Sequence, residues 1–384
     1  MNIVYYSSIF FTDCDFPLIR TMQNKGNNVL YIIEVIAGKT KGALFNIVSK
    51  IPNQGVIRAD ELAEFKCYSG YIDLSKTYIV IRTSRLYDFR NWTTYVRLCL
   101  LIKTFHPQVV HSAVIPGLSE SLLYLFKKKM LLTVHDPFVH SGETSKLFEI
   151  KRKIAFRIIP KLVLLNKKQL NPFIETYRIQ PRKVYINSLG VYDCLNYLSS
   201  QGKREKPINN DYILFFGHIS PYKGIEILCE AMKEVHKHIP NLSCIIAGNG
   251  KIYFDFTLYE KLNYIKLINQ YIAVPELANL ISNSLFVVCP YKDATQSGVV
   301  FSSFAFSKPV IATDVGGMSE TIKDGETGLL VPPNNVMALS DSIIKLYNNP
   351  QLLQEFKTNI SNNYIVGEDS WDNIADIYIR CYKN

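Results

Sequence analysis

The chain has 384 residues, 48% hydrophobic and 20% charged. That excludes a disordered or fibrous protein and exceeds one ordinary core, so two domains of roughly 100–200 residues each are expected. The net charge of +10 is unevenly spread: residues 1–205 carry 29 Lys and Arg against 15 Asp and Glu (net +14), and residues 206–384 carry 14 against 18 (net −4). A basic half suits an anionic partner or plain solubility, but the charges are scattered and no aromatic-interleaved basic module occurs, which argues against nucleic acid.

From the N-terminus onward, short apolar runs bounded by turn residues alternate with helix-period stretches, the pattern of βαβ units and parallel sheets. In the first half strands are expected at Asn2–Tyr6, Val29–Ile33, Val109–His111, Leu131–Val134 and Leu162–Leu165. Ser199–Asp211 reads SSQGKREKPINND, polar and aperiodic as a linker is. Beyond it strands are expected at Tyr212–Phe216, Ser243–Ala247, Leu285–Val288, Pro309–Ala312 and Gly328–Val331. Their hydrophobicity is continuous rather than alternating, as strands covered by helices on both faces require, so two doubly wound α/β domains follow. From about Gly367 onward, Trp371, Ile374, Ile377 and Tyr378 recur at helical spacing and predict a closing amphipathic helix. The expected division is an N-terminal domain at 1–200, a linker at 201–210, a C-terminal domain at 211–362, and a helix at 363–384 returning towards the N-terminal domain.

Eight widely spaced cysteines (Cys14, Cys67, Cys99, Cys194, Cys229, Cys244, Cys289, Cys381) show no C-x-x-C and no zinc-like spacing with histidine, and read as reduced core thiols. Met1–Phe11 lacks the basic segment and cleavage site of a signal peptide, and no run approaches the roughly 18–20 apolar residues of a spanning helix. The expectation is a cytoplasmic protein, at most peripheral at the inner membrane face.

The strongest chemical signal starts at Tyr212, YILFFGHISPYKGIEILCEAM. A strand ends at Gly217, a loop carries His218 and Lys223, and a helix follows. A lysine at the C-terminal edge of a parallel strand can neutralise a leaving diphosphate, although a solvated loop lysine reads the same way. Cys244–Lys251, CIIAGNGK, runs from a strand into a turn with Gly248 and Gly250, where backbone passes close to a ligand or the strand merely ends. In Phe286–Pro333 a strand ends at Pro290 and a polar loop holds Thr295, Gln296, Ser297 and Gly298. An apolar helix starts near Val299, where free backbone N–H groups attract anions.

In order, G-x-x-x-x-x-K-G, A-G-x-G, S-G-V, K-P-V-I-A-T-D-V-G-G and D-G-x-T-G-L-L-V span Phe216–Pro333. This run resembles the C-terminal domain of the group 1, or family four, retaining glycosyltransferases. The resemblance implies two Rossmann-like doubly wound domains facing across a cleft (GT-B), a nucleotide diphosphate sugar as donor, no metal and no other cofactor. The acceptor, a glycan or lipid-linked carrier, would go to the N-terminal domain. It implies donor contacts from Gly217, His218, Lys223, Gly248, Gln296, Ser297, Gly298 and Val299. KTFHPQVVHSA (Lys103–Ala113) and LLTVHDPFVHSGE (Leu131–Glu143) look like the family's inner-strand ends. By carry-over His135 faces the donor sugar, with Asp136 behind it or towards the acceptor; a metal set of His135, His140 and Glu143 is the alternative the resemblance disfavours.

Two departures stand out. The family's Glu-x7-Glu pair falls on Ala294 and Ser302, as in a subgroup lacking the pair, and His218 stands where an arginine is usual, with less charge and no bidentate fork. The losses also suit a degenerate sugar-nucleotide-binding partner, and a nucleotide-sugar epimerase of the same architecture is a further alternative. The basic clusters Lys127-Lys128-Lys129 and Lys151-Arg152-Lys153, with Arg157 and Lys161, suit an anionic membrane surface or ordinary solvated helix faces.

Overall fold

The computed structural model describes residues 1–85, 88–138, 146–201, 211–294 and 297–384. Met1–Gly190 with Trp371–Asn384 forms one compact unit and Val191–Ser370 the other. The predicted linker at 201–210 lies, save for Gln201, outside the described residues.

The first unit holds β1 (Asn2–Ser8), β2 (Asn28–Ile36), β3 (Gly55–Arg58), β4 (Thr77–Arg82), β5 (Val109–Ser112), β6 (Met130–Val134), β7 (Lys161–Leu164) and β8 (Val184–Ile186). They lie in the order β3-β4-β2-β1-β5-β6-β7-β8, parallel throughout except for β3, which pairs antiparallel with β4. The inner strands are buried on both faces, which is why their apolar runs are unbroken.

The second unit holds β9 (Tyr212–Phe216), β10 (Ser243–Gly248), β11 (Ile265–Asn269), β12 (Val287–Cys289), β13 (Val310–Thr313) and β14 (Gly328–Val331). All pairs are parallel, in the order β11-β10-β9-β12-β13-β14. The chain therefore leaves β9 in one direction and returns at β12 on its other side, making a topological switch point between them. Over β9 and its neighbours the helix Ile225–His238 buries Leu228, Ala231, Met232 and Val235. Both units are Rossmann-like, doubly wound α/β domains, as expected.

The division falls ten residues before the expected one. The helix Cys194–Gln201 packs on Val274–Asn283, Tyr192 N–H donates to Phe301 O at 3.3 Å, and Asn196 Nδ2 donates to Ala305 O at 3.4 Å. At the other end the crossing comes at 371 rather than 363, because Tyr364 is buried and its hydroxyl donates to Thr321 O at 2.6 Å. The helix Trp371–Lys383 then packs in the first unit. Tyr382 Oη bonds His111 Nδ1 and Thr133 Oγ1 bonds His111 Nε2, each at 2.7 Å, while Tyr378 Oη lies 2.9 Å from Thr133 Oγ1. Lys161 Nζ caps the helix end by donating to Cys381 O and Tyr382 O. Seven of the eight cysteines are buried as expected of core thiols; Cys67 is exposed.

Candidate functional site

In the second unit the predicted donor residues other than Gln296 follow the C-terminal ends of β9, β10 and β12, at the switch point. Gly217 ends β9 and its N–H donates to Ala247 O at 3.0 Å. Gly248 is required for a reason other than ligand approach: a Cβ there would lie 1.8 Å from Gly217 O. The close approach is backbone against backbone, and it brings the ends of β9 and β10 together. Val299 borders Gly217, its Cγ2 3.7 Å from the Cβ position of that glycine.

The turn carrying Lys223 is pinned from both sides. Lys292 N–H donates to Tyr222 O at 2.7 Å, and Ile225 N–H, opening the next helix, donates to Tyr253 Oη at 2.9 Å. Lys223 is thereby half-buried, its ammonium 3.7 Å from the centroid of the buried Tyr291 ring. Burial pushes the Lys223 pKa down, and the ring face partly restores what water would supply. Among the described residues no carboxylate forms an ion pair with it. Tyr291 Oη lies 3.3 Å from Ser297 Oγ, so Lys223, Tyr291 and Ser297 form one connected chain. Ser297 is buried and precedes the short helix Gly298–Phe304. Tyr291 gave no sequence signal, since its role depends on β12 lying beside β9.

His218 is exposed in the same loop. Gln296 lies outside the described residues, as do His140 and Glu143 of the alternative metal set. At the positions of the missing carboxylates, Ala294 packs against the core and Ser302 turns its hydroxyl back to Gly298 O at 2.8 Å. Neither offers an acid or base. The arrangement supplies an uncompensated, partly desolvated cation at a switch point, which suits an anionic ligand such as a diphosphate.

In the first unit His135 and Asp136 follow β6 and line a cavity of about 380 Å³ at the C-terminal strand ends. His135 stacks on Phe11, with ring centroids 4.2 Å apart and planes 10° apart, and its Nε2 is shielded with no hydrogen-bond partner among the described residues. Burial pushes its pKa down to about 4, so the ring is neutral at pH 7. The turn after it is held by Arg152, whose Nη2 donates to Asp136 O at 2.8 Å and also to Pro137 O. This corrects the reading of the basic cluster. Arg152 is only 2% exposed, Lys151 lines the cavity and Lys161 caps the last helix, leaving Lys153 and Arg157 facing solvent.

Residues 199–363 match the family model described as "Glycosyl transferases group 1". Among curated proteins the chain is 34% identical over 142 residues to the uncharacterized glycosyltransferase MJ1178 of Methanocaldococcus jannaschii, covering 36% of this chain and 39% of that protein. It is 27% identical over 164 residues to alpha-D-kanosaminyltransferase of Streptomyces kanamyceticus, 41% of each chain. The chain thus spans about two fifths of these relatives. Among solved structures, a glycosyltransferase from Rickettsia africae matches at a TM-score of 0.67 with 19% identity, over 100% of this chain and 97% of that one. Anabaena HepE in complex with UDP-glucose matches at 0.66 with 12% identity, over 99% and 100%. Residues 199–363 therefore carry the group 1 glycosyl transferase pattern, set in a two-domain fold shared with solved glycosyltransferases.

Proposed function

We propose that this chain transfers a sugar, with retention, from a nucleotide diphosphate donor to a glycan or lipid-linked acceptor in cell-surface polysaccharide synthesis. The observation that carries the reading is Lys223, an ammonium without a carboxylate partner among the described residues, at the β9–β12 switch point in the segment that matches the group 1 pattern. Lys223 meets the charge that grows on the leaving diphosphate, and Gly217, His218, Gly248, Ser297, Gly298 and Val299 are the further donor contacts in this reading. The structural likeness to HepE with UDP-glucose supports a nucleotide sugar as donor.

With no carboxylate at Ala294 or Ser302, the reading uses no enzyme nucleophile; the work is to hold the leaving group and exclude water. His135 is neutral at pH 7 and offers a sugar no charge, and Asp136 is assigned to the acceptor. No metal or further cofactor is assigned a step. A screen of UDP-, GDP- and ADP-sugars for thermal stabilisation tests this, since a ligand at a hundred times its dissociation constant adds roughly 2.7 kcal/mol. If no nucleotide sugar raises the melting temperature and none is turned over, the reading fails.

The acceptor end of the reading includes an anionic membrane surface. Its support is the helix Lys146–Ile158, where Ile150, Ile154 and Ile158 are exposed at every fourth position with Lys153 and Arg157 alongside. Among the described residues no helix is long and apolar enough to cross a membrane.

A further inference from the structure

The cavity beside His135 has an unusual balance of used and unused bonding groups. Arg82 is ion-paired on two sides, Nη2 with Glu34 Oε1 at 3.0 Å and Nε with Glu120 Oε1 at 2.8 Å, although Nε lacks hydrogen-bond geometry, and Nη1 donates to Thr83 O at 3.3 Å. Glu34 Oε2 in turn accepts from Tyr95 Oη at 2.9 Å and from Tyr6 Oη. Two groups are left over. The Lys151 ammonium has no ion pair or hydrogen bond to a described residue, and Glu120 Oε2 has no side-chain partner among them. Both lie over Gly117, Glu120 Oε2 2.4 Å and Lys151 Nζ 3.3 Å from the Cβ position of that glycine. They are neighbours, yet too far apart for an ion pair. One oxygen that accepts from the ammonium and donates to the carboxylate fills such a gap with two hydrogen bonds of about 2.8 Å.

The rest of the lining decides what carries that oxygen. The lining carries three cations, Arg82, Lys151 and Arg152, against three carboxylates, Glu34, Glu120 and Asp136, so a polyanion and a cation would each meet like charge. A neutral polyol offends neither sign, because each hydroxyl both donates and accepts. Two phenyl rings at the cavity, Phe10 at 53% and Phe148 at 40% exposure, offer apolar faces for the C–H side of a sugar ring.

We infer that this cavity binds one pyranose ring of a neutral saccharide, whose hydroxyl bridges Lys151 and Glu120 while Phe10 and Phe148 flank its C–H faces. That this saccharide is the acceptor rests on the glycosyl-transfer reading; that it binds here does not.

The test uses the full chain and three probes, methyl α-D-glucopyranoside, methyl α-D-mannopyranoside and methyl N-acetyl-α-D-glucosaminide, with binding followed by saturation-transfer NMR titration. At least one probe should bind. Its dissociation constant should rise tenfold or more in Lys151→Met and three- to tenfold in Glu120→Gln and Phe148→Ala, and equimolar inorganic phosphate should not displace it. Phe148→Ala trims an exposed ring, so it tests the site even if a variant at the buried network fails to fold. No binding by any probe, equal binding by the folded variants, or displacement by phosphate would each overturn the inference. Probe binding without stabilisation by any nucleotide sugar would leave the saccharide site standing and remove the transfer reading; turnover of a nucleotide sugar with no probe binding would do the reverse.

Discussion

Lys223 lies against Tyr291 at the strand edge because the turn before it is bonded to Lys292 and the helix after it to Tyr253. Lys223→Ala should lower the transfer rate about 10²–10³-fold, the scale of losing one charge-stabilising donor, with the melting temperature little changed; a wild-type kcat would remove it from the site. His218→Arg should tighten nucleotide diphosphate binding, because arginine brings a permanent charge and a bidentate fork that an imidazole lacks. Equal affinity of both proteins would mean that His218 does not meet the phosphates. His135 carries a stability signature. Its folded pKa of about 4 lies below the unfolded value of about 6.5, so its contribution is full above pH 6.5 and is lost as pH falls towards 4. His135→Gln should therefore lose less unfolding free energy on acidification across that window, by about 1.4 kcal/mol per pH unit. Burial raises Asp13 and Asp15 to about 7, and they pull the other way, but they titrate alike in both proteins. Parallel denaturation curves at pH 6.5 and 4.5 would refute the burial of His135.

Among the elements, the helix Trp371–Lys383 depends on the packing of Trp371 over Gly190, where a Cβ would come within 2.5 Å of the indole. A ring cannot swing aside as a flexible chain end can, so Gly190→Ala should cost about 1–3 kcal/mol, read as a lower denaturant midpoint with an unchanged slope. An unshifted midpoint would mean that the helix end is loosely held. The inner strands were legible because burial on both faces leaves an unbroken apolar run. The edge strands β3, β8 and β11 were not: they are short and partly exposed, and pairing rather than composition makes them strands. β4 escaped because a short apolar run such as Tyr78–Ile81 has no period to tell a strand from a buried helical turn.

At the scale of the whole molecule, the +14 balance of residues 1–205 overstated the basic surface, since part of that charge is spent internally on carbonyls and carboxylates. What remains near the Ile150–Ile158 stripe is local: Lys153 and Arg157 on the same helix, with Arg178 and Lys183 lining the adjoining groove. Each basic residue near an anionic leaflet contributes about 1 kcal/mol, fading beyond a Debye length of about 8 Å at physiological ionic strength. The chain should sediment with phosphatidylglycerol vesicles at low salt, less at high salt, and not after Ile150→Glu with Ile154→Glu. Failure to sediment at low salt, or sedimentation unaffected by that double variant, would count against this face as the membrane contact.

Ten of the fourteen described strands, the doubling of the architecture and the place of the glycine- and lysine-bearing loops at strand ends were set by the sequence itself, because each depends on local periodicity and turn chemistry. Pairing across distance decided the rest. The return of the chain beside β9 sets Tyr291 under Lys223, the turn after β6 takes Arg152 from the helix Lys146–Ile158, and Gly248 answers to the carbonyl of Gly217. Each of these joins residues from separate segments, and no local spacing encodes which side chain will meet which.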